Sequence, residues 1–260
     1  MVRAQNSSNA LNNRLSAHAN YAKFEINDWI IPKLEIMKDD QVLDIACGNG
    51  KQLIPISEII NESGSITGLD ISKDLLDEIE ANVKRKNVFL KNGSMENIGN
   101  EFENAKFDLI LCCFGLYYSK DYKKTINDIY DKLKEGGRCF VCGPVKRNNK
   151  ELTDIHETFE KLPEEYNIHN NFMESSALPY FETLFEEVNT DIFENPVTFP
   201  SKDELLRYWK SYTLFEKEEQ NKFEKVIEDI FVRENKFITK KVVMGISARK
   251  CRQITETKNY

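Results

Sequence analysis

Apolar residues recur at helical spacing over residues 9–23, where Leu11, Leu15, Ala19 and Ala22 make one stripe. The helical reading continues over 24–37, interrupted at Pro32. The pattern then changes. Val42, Leu43 and Ile45 lie in a short β-rich run over 41–46 that closes on Cys47-Gly48-Asn49-Gly50. From there helix and strand signals alternate: a helix over 51–61, a strand over 65–70, a helix over 74–86 and a third strand over 88–92. A fourth strand over 107–114 is apolar almost throughout. A helix over 121–133 follows, with Glu135-Gly136-Gly137 as its stop signal, and a fifth strand covers 138–142. Such alternation predicts a parallel sheet with helices on both faces. The near-continuous apolar runs of the fourth and fifth strands place them centrally, covered on both sides.

Beyond residue 145 the chain changes character. Residues 146–182 are polar and aromatic and read as helices and loops. A strand is expected over 185–193. Ser201-Lys202-Asp203-Glu204 matches a capping box and starts a helix. A further helix covers 216–235, a last strand 241–248, and 251–260 reads as a tail.

Charge and cysteine usage narrow the class. The net charge is -7, and no dense Lys/Arg block stands out, which argues against a nucleic-acid partner. The start of the chain is polar and lacks the apolar stretch of a signal peptide, and the most apolar run, 109–118, is too short to span a bilayer. The expected location is the cytoplasm, with no membrane partner. Cys139 and Cys142 have C-x-x-C spacing, but on a strand residues three apart point to opposite faces, so they read as buried thiols and not as a redox or metal pair. No metal is expected.

The chemistry concentrates at two strand ends. Gly48 and Gly50 stand at a strand-to-helix turn, where glycine lets a backbone approach a ligand closely. Asp44 and Asp70 both lie at strand ends, and Asp70 offers a carboxylate that can accept from ribose hydroxyls. A dinucleotide site needs G-x-G-x-x-G to admit a pyrophosphate, and the third position here is Leu53. A phosphate-free nucleoside is the better ligand.

Taken in order over 42–143, these motifs resemble the class I S-adenosylmethionine (SAM)-dependent methyltransferases. The resemblance implies an α/β fold, a Rossmann-like, seven-stranded, mostly parallel sheet with helices on both faces, plus N-terminal helices and a helical cap insertion. It divides the chain into an N-terminal helical cap (1–40), a SAM-binding core (41–145), an acceptor cap with the sixth strand (146–215), a C-terminal helix and last strand (216–250) and the tail. Val42 to Gly50 resembles the first motif, usually Asp-x-Gly-x-Gly-x-Gly, with Ala46 at the first glycine. By that resemblance the turn from Ala46 through Gly48 to Gly50 cradles the methionine part of SAM, Asp70 binds the ribose and Ile71 packs on the adenine; Asp44 is counted with them as a cofactor contact. Ser94 stands where the family usually has an Asp for the adenine amino group, and Met95 supplies a backbone amide and an apolar wall. Cys113 and Phe114 close the fourth motif and are counted as cofactor contacts. Leu116-Tyr117-Tyr118 follows where many small-molecule methyltransferases carry Leu-His-His, so Tyr117 is an acceptor-side candidate.

The expected reaction is methyl transfer from SAM to a small-molecule acceptor, a metabolite, sugar or natural product methylated at oxygen, nitrogen or carbon, with S-adenosylhomocysteine as product. Alignment of acceptor, methyl and sulfur can contribute about 7–11 kcal/mol, so a catalytic base is optional. Arg14, His18 and Tyr21 fall four and three apart and share one helix face. That face reads either as solvated or as a wall over SAM and acceptor. In the second case His18 and Tyr21 are catalytic candidates, and Tyr21 also a SAM contact. His156 and His169 belong to the segment after the fifth strand, where the family commonly builds its acceptor wall. Two other readings stay open: a tRNA or protein acceptor, and a non-catalytic SAM-binding module.

Overall fold

The computed structural model describes residues 8–212 and 214–251. In chain order the elements are α1 (Ser8–Tyr21), α2 (Ile26–Lys33), β1 (Gln41–Ile45), α3 (Leu53–Ile59), β2 (Ser65–Asp70), α4 (Lys73–Asn82), β3 (Val88–Asn92), α5 (Ile98–Glu101), β4 (Phe107–Cys113), α6 (Tyr122–Lys132), β5 (Leu133–Pro144), α7 (Lys150–Glu157), α8 (Glu164–Phe172), α9 (Leu178–Leu184), β6 (Glu187–Phe199), α10 (Lys202–Lys210), α11 (Gln220–Glu234) and β7 (Phe237–Arg249). The strands form one seven-stranded sheet in the order β3-β2-β1-β4-β5-β7-β6. β1 to β5 pair in parallel. β7 reverses: Gly136 N–H bonds to Lys250 O, whereas Val145 N–H bonds to Val242 O, so β5 and β7 run in opposite senses. Among the described residues no helix is long and apolar enough to cross a membrane.

The chain divides into two compact units. The larger spans 29–143 and 173–191 and resumes at 244. It holds the parallel strands, and its core is built as the apolar runs predict: Val42, Leu43, Leu109, Ile110 and Leu111 are fully buried. α3 lies unusually close to the sheet. A Cβ added at Gly68 of β2 would come within 2.5 Å of the Leu53 side chain. The bulky residue that replaces a third glycine is therefore accommodated by a glycine on the neighbouring strand.

β5 is longer than its sequence suggests. Glu135-Gly136-Gly137 does not end the preceding helix; α6 stops at Lys132, and the glycines lie inside the strand. Gly136 adopts a positive φ of 73°, and the β4–β5 register shifts between Phe107 and Leu109. The strand survives because Gly136 and Gly137 exchange backbone hydrogen bonds with Lys250, a partner that no local pattern reveals.

The smaller unit spans 8–28, 144–172 and 192–243. Its core gathers Leu152, Ile155, Phe199, Leu205, Tyr208, Trp209, Phe223 and Ile227, with Trp209 stacked on Phe223 at 4.1 Å. α10 begins where its capping box predicts, the Ser201 hydroxyl accepting from Glu204 N–H at 3.3 Å. α1 packs against α10 within this unit. Its buried positions are Ala10 and Ala17, while Ala19 of the expected stripe is exposed. The reason is the neighbouring polar face. Arg14 bonds to Ser211 O, the His18 ring meets Tyr208 edge-on at 5.7 Å, and Tyr21 packs on Phe199 at 5.6 Å. The docking face thus centres on long polar and aromatic side chains whose apolar parts cover the core.

Candidate active site

Parallel strands leave their ligand crevice beyond their carboxyl ends, at the point where strand order reverses. In this sheet that point lies between β1 and β4. The turn after β1 is held in a left-handed path: Ala46, Gly48 and Gly50 have φ of 56°, 57° and 83°. Glycine adopts such values freely, whereas an L-residue with a Cβ is disfavoured. Ala46 is therefore a conformational misfit as well as a small residue. Its methyl occupies space that a side chain at Gly115 would need, since a Cβ there would lie 2.6 Å from Ala46 Cβ. Ala46→Gly is expected to raise folding stability by about 0.5–1 kcal/mol, the left-handed strain relieved less the extra chain entropy of glycine. Urea denaturation checks it; a loss of stability would show that the alanine methyl packs better than this argument allows.

Asp70, at the end of β2, ties the turn down. Its Oδ2 accepts from Gly48 N–H at 2.8 Å and its Oδ1 from Ser72 N–H at 2.8 Å. Each oxygen keeps a further lone pair for a ligand hydroxyl. Ile71, just past it, is 70% exposed, an open apolar surface beside a carboxylate.

Asp44 is the odd group. It is 1% exposed, and its Oδ2 has no hydrogen-bond partner among the described residues. Burial, and then the nearby Asp70, push its carboxyl well above the ordinary range. A buried carboxyl left unmatched is costly, and beside the glycine turn that marks it as a place for a cationic or donor ligand.

The loop after β3 supplies another wall. Ser94 caps the short turn Met95–Asn97, its Oγ accepting from Glu96 N–H at 3.2 Å, and both Ser94 and Met95 are half-buried. Glu96, which sequence reasoning passed over, fixes this loop to the one after β4. Its Oε1 accepts from Ser119 Oγ at 3.0 Å and Lys120 N–H at 2.7 Å. At the end of β4, Cys113 is buried opposite Cys142, and Phe114 has a positive φ of 59° with its N–H bonded to Cys142 O. Strained backbone at two adjacent strand ends, Ala46 and Phe114, is common around ligand sites. Tyr117 follows in the turn Leu116–Tyr118 and lies 4.5 Å from the Tyr118 ring.

The larger unit thus brings together Asp44, Ala46, Gly48, Gly50, Asp70, Ile71, Ser94, Met95, Cys113, Phe114 and Tyr117 at the carboxyl ends of its strands. His18 and Tyr21 lie in the smaller unit. His18 Nε2 is 3.4 Å from Tyr208 Oη, and burial and then the Glu204 carboxylate raise the Tyr21 phenol above its ordinary value. His156 is buried against Phe159 in the same unit, and burial lowers its basicity.

Residues 36–230 match the family model described as a methyltransferase domain. Among similar chains, a demethylmenaquinone methyltransferase from a Geobacillus species is 28% identical over 184 residues, 68% of this chain and 72% of that one. Its Staphylococcus aureus counterpart is 26% identical over 185 residues, 70% of each chain. Among solved structures, a phosphoethanolamine N-methyltransferase from Haemonchus contortus, in complex with S-adenosylhomocysteine, superposes with a TM-score of 0.61 at 17% identity, covering 96% of this chain and 59% of that one. A SAM-dependent methyltransferase from Aquifex aeolicus gives 0.55 at 11% identity, covering 93% and 97%. The strand order, the left-handed glycine turn and the family match agree, and the chain belongs to the methyltransferase domain family as a class I, SAM-dependent methyltransferase with a Rossmann-like fold.

Proposed function

We propose that the chain binds SAM at the carboxyl ends of β1 and β2 and methylates a small, largely apolar acceptor of the demethylmenaquinol type. The observation that carries the cofactor part is the unmatched Oδ2 of Asp44 beside the glycine turn. An amino acid's ammonium group is the partner such a buried acid lacks. Asp70 would take the ribose hydroxyls on its remaining lone pairs, Ile71 and Met95 would flank the base, and Ser94 would offer the adenine a hydroxyl in place of the family's usual carboxylate.

SAM, when bound, supplies a sulfonium-activated methyl group. The work left to this chain is orientation and exclusion of water, to which the turn after β1, tied to Asp70, and the Glu96-tethered loop would contribute. The acceptor class follows the relatives' names and the aromatic, uncharged character of Tyr117 and Phe114.

Calorimetric titration with SAM, then transfer of labelled methyl to a short-chain demethylmenaquinol, tests the proposal. Binding of NAD in place of SAM would overturn the cofactor assignment. Binding of SAM with no label in the quinol, and label appearing in tRNA or protein, would overturn the acceptor assignment alone.

A further inference from the structure

Gly143, next to last in β5, has an ordinary backbone, so glycine is there for space and not for φ. A Cβ added to it would lie 3.0 Å from Met173 Cγ, 3.1 Å from Met173 Sδ and 3.2 Å from the Tyr117 ring. Two side chains from distant parts of the chain therefore converge on one bare Cα at the carboxyl end of the sheet, one strand beyond the end of β4. Glycine inside a strand is a sign of such close approach.

Met173 opens a single π-helical turn, Met173–Ala177, that leads into α9. π-Turns are rare and occur frequently at functional sites. This one is anchored within its unit, because α9 docks on α6 through Tyr180, whose hydroxyl bonds to Asn127 Oδ1 at 3.2 Å and whose ring meets Tyr122 edge-on. The Met173 side chain is fully buried, while the Tyr117 ring is half-buried. Polarizable thioethers pack well on aromatic rings. Met173 and Gly143 together leave the Tyr117 ring little room to move.

We propose that Met173, packed against Gly143, is a positioning residue that fixes Tyr117 as the platform for a planar, apolar part of the methyl acceptor. The convergence of an aromatic ring, a thioether and a bare Cα, with no charged group among the three, fits a flat ring system and not a sugar or an amino acid. Stacking on a ring held in place costs the acceptor less than stacking on one that must first be ordered. The inference rests on the SAM-dependent reading given above.

The test is calorimetric titration of 1-naphthol, a planar bicyclic phenol, into protein saturated with S-adenosylhomocysteine. The wild type should bind it. Tyr117→Leu and Met173→Ala should each weaken 1-naphthol by about tenfold, the size of a lost aromatic contact, and Met173→Leu should stay within about twofold. Affinity for S-adenosylhomocysteine should be unchanged within about twofold throughout, a split that a general structural role would not produce. If Met173→Ala does not fold, Gly143→Ala serves, since Met173 or the Tyr117 ring must give by a few tenths of an ångström to admit its methyl, and it should weaken 1-naphthol in the same direction. Wild-type 1-naphthol affinity in these variants, or no 1-naphthol binding by a protein that binds S-adenosylhomocysteine, overturns the inference. Failure to bind S-adenosylhomocysteine overturns the underlying reading instead, and the inference falls with it.

Discussion

Asp70→Ala should weaken SAM by about 2–4 kcal/mol, roughly 30- to 1,000-fold, and should also lower folding stability. Position alone would assign this residue only the ribose. The structure adds a second duty, because both carboxylate oxygens already accept backbone N–H groups, one from Gly48 and one from Ser72. Removing them frees two donors and releases the glycine turn from the end of β2. Hydrogen bonds to a carboxylate contribute about 1.5–3 kcal/mol each, so the ligand loss and the turn loss add. Asp70→Asn separates the two duties from simple hydrogen bonding. Its amide keeps one oxygen acceptor, and its NH2 would face one of the two N–H donors. The asparagine variant should therefore resemble the alanine one. Near-native SAM affinity in Asp70→Asn, by calorimetry, would show that one acceptor is enough and that the carboxylate does not hold the turn.

The sequence makes the parallel half of this molecule legible because its local signals and its tertiary environment agree. β1 to β4 are apolar runs with turn residues at their ends, and they fold as such. β5 shows where local reasoning stops: Gly136 and Gly137 look like a helix stop but become strand through pairing with Lys250, more than a hundred residues away. The face of Arg14, His18 and Tyr21 is correct as a face, yet spacing cannot say what it meets, and within its unit it meets α10. Ala46 marks another limit. Resemblance judges it by size, whereas the backbone at φ 56° judges it by conformation. The π-turn at Met173 has no sequence period to announce it, and only Gly143, an isolated glycine in a strand, hints that something approaches there. Glu96 lies inside a loop whose sequence attracts attention for its neighbours, and its tether to Ser119 and Lys120 needs coordinates to be seen.

Asp44→Asn should stabilise the ligand-free protein at neutral pH and weaken SAM by at least about 2 kcal/mol, two effects of opposite sign from one atom. The carboxyl is buried, its Oδ2 is unmatched, and desolvation with Asp70 close by holds its folded pKa well above the unfolded value. For an acid shifted upward, the folded state keeps a proton that the unfolded state has lost. Stability therefore falls as pH rises from about 4 toward the folded pKa, by up to about 1.4 kcal/mol per pH unit. Asparagine does not titrate, so the variant's advantage should be small near pH 4 and grow with pH, read from melting temperatures across that range. Binding runs the other way. A ligand ammonium favours the ionised carboxylate, so binding should release a proton, and SAM affinity should rise with pH up to the folded pKa. Calorimetry in buffers of different ionisation heat measures that release directly. The asparagine variant should release none, and its affinity should be flat over the same interval. A wild type that binds SAM with no proton release, or an asparagine variant that binds it as tightly, would show that Asp44 does not meet the ammonium group.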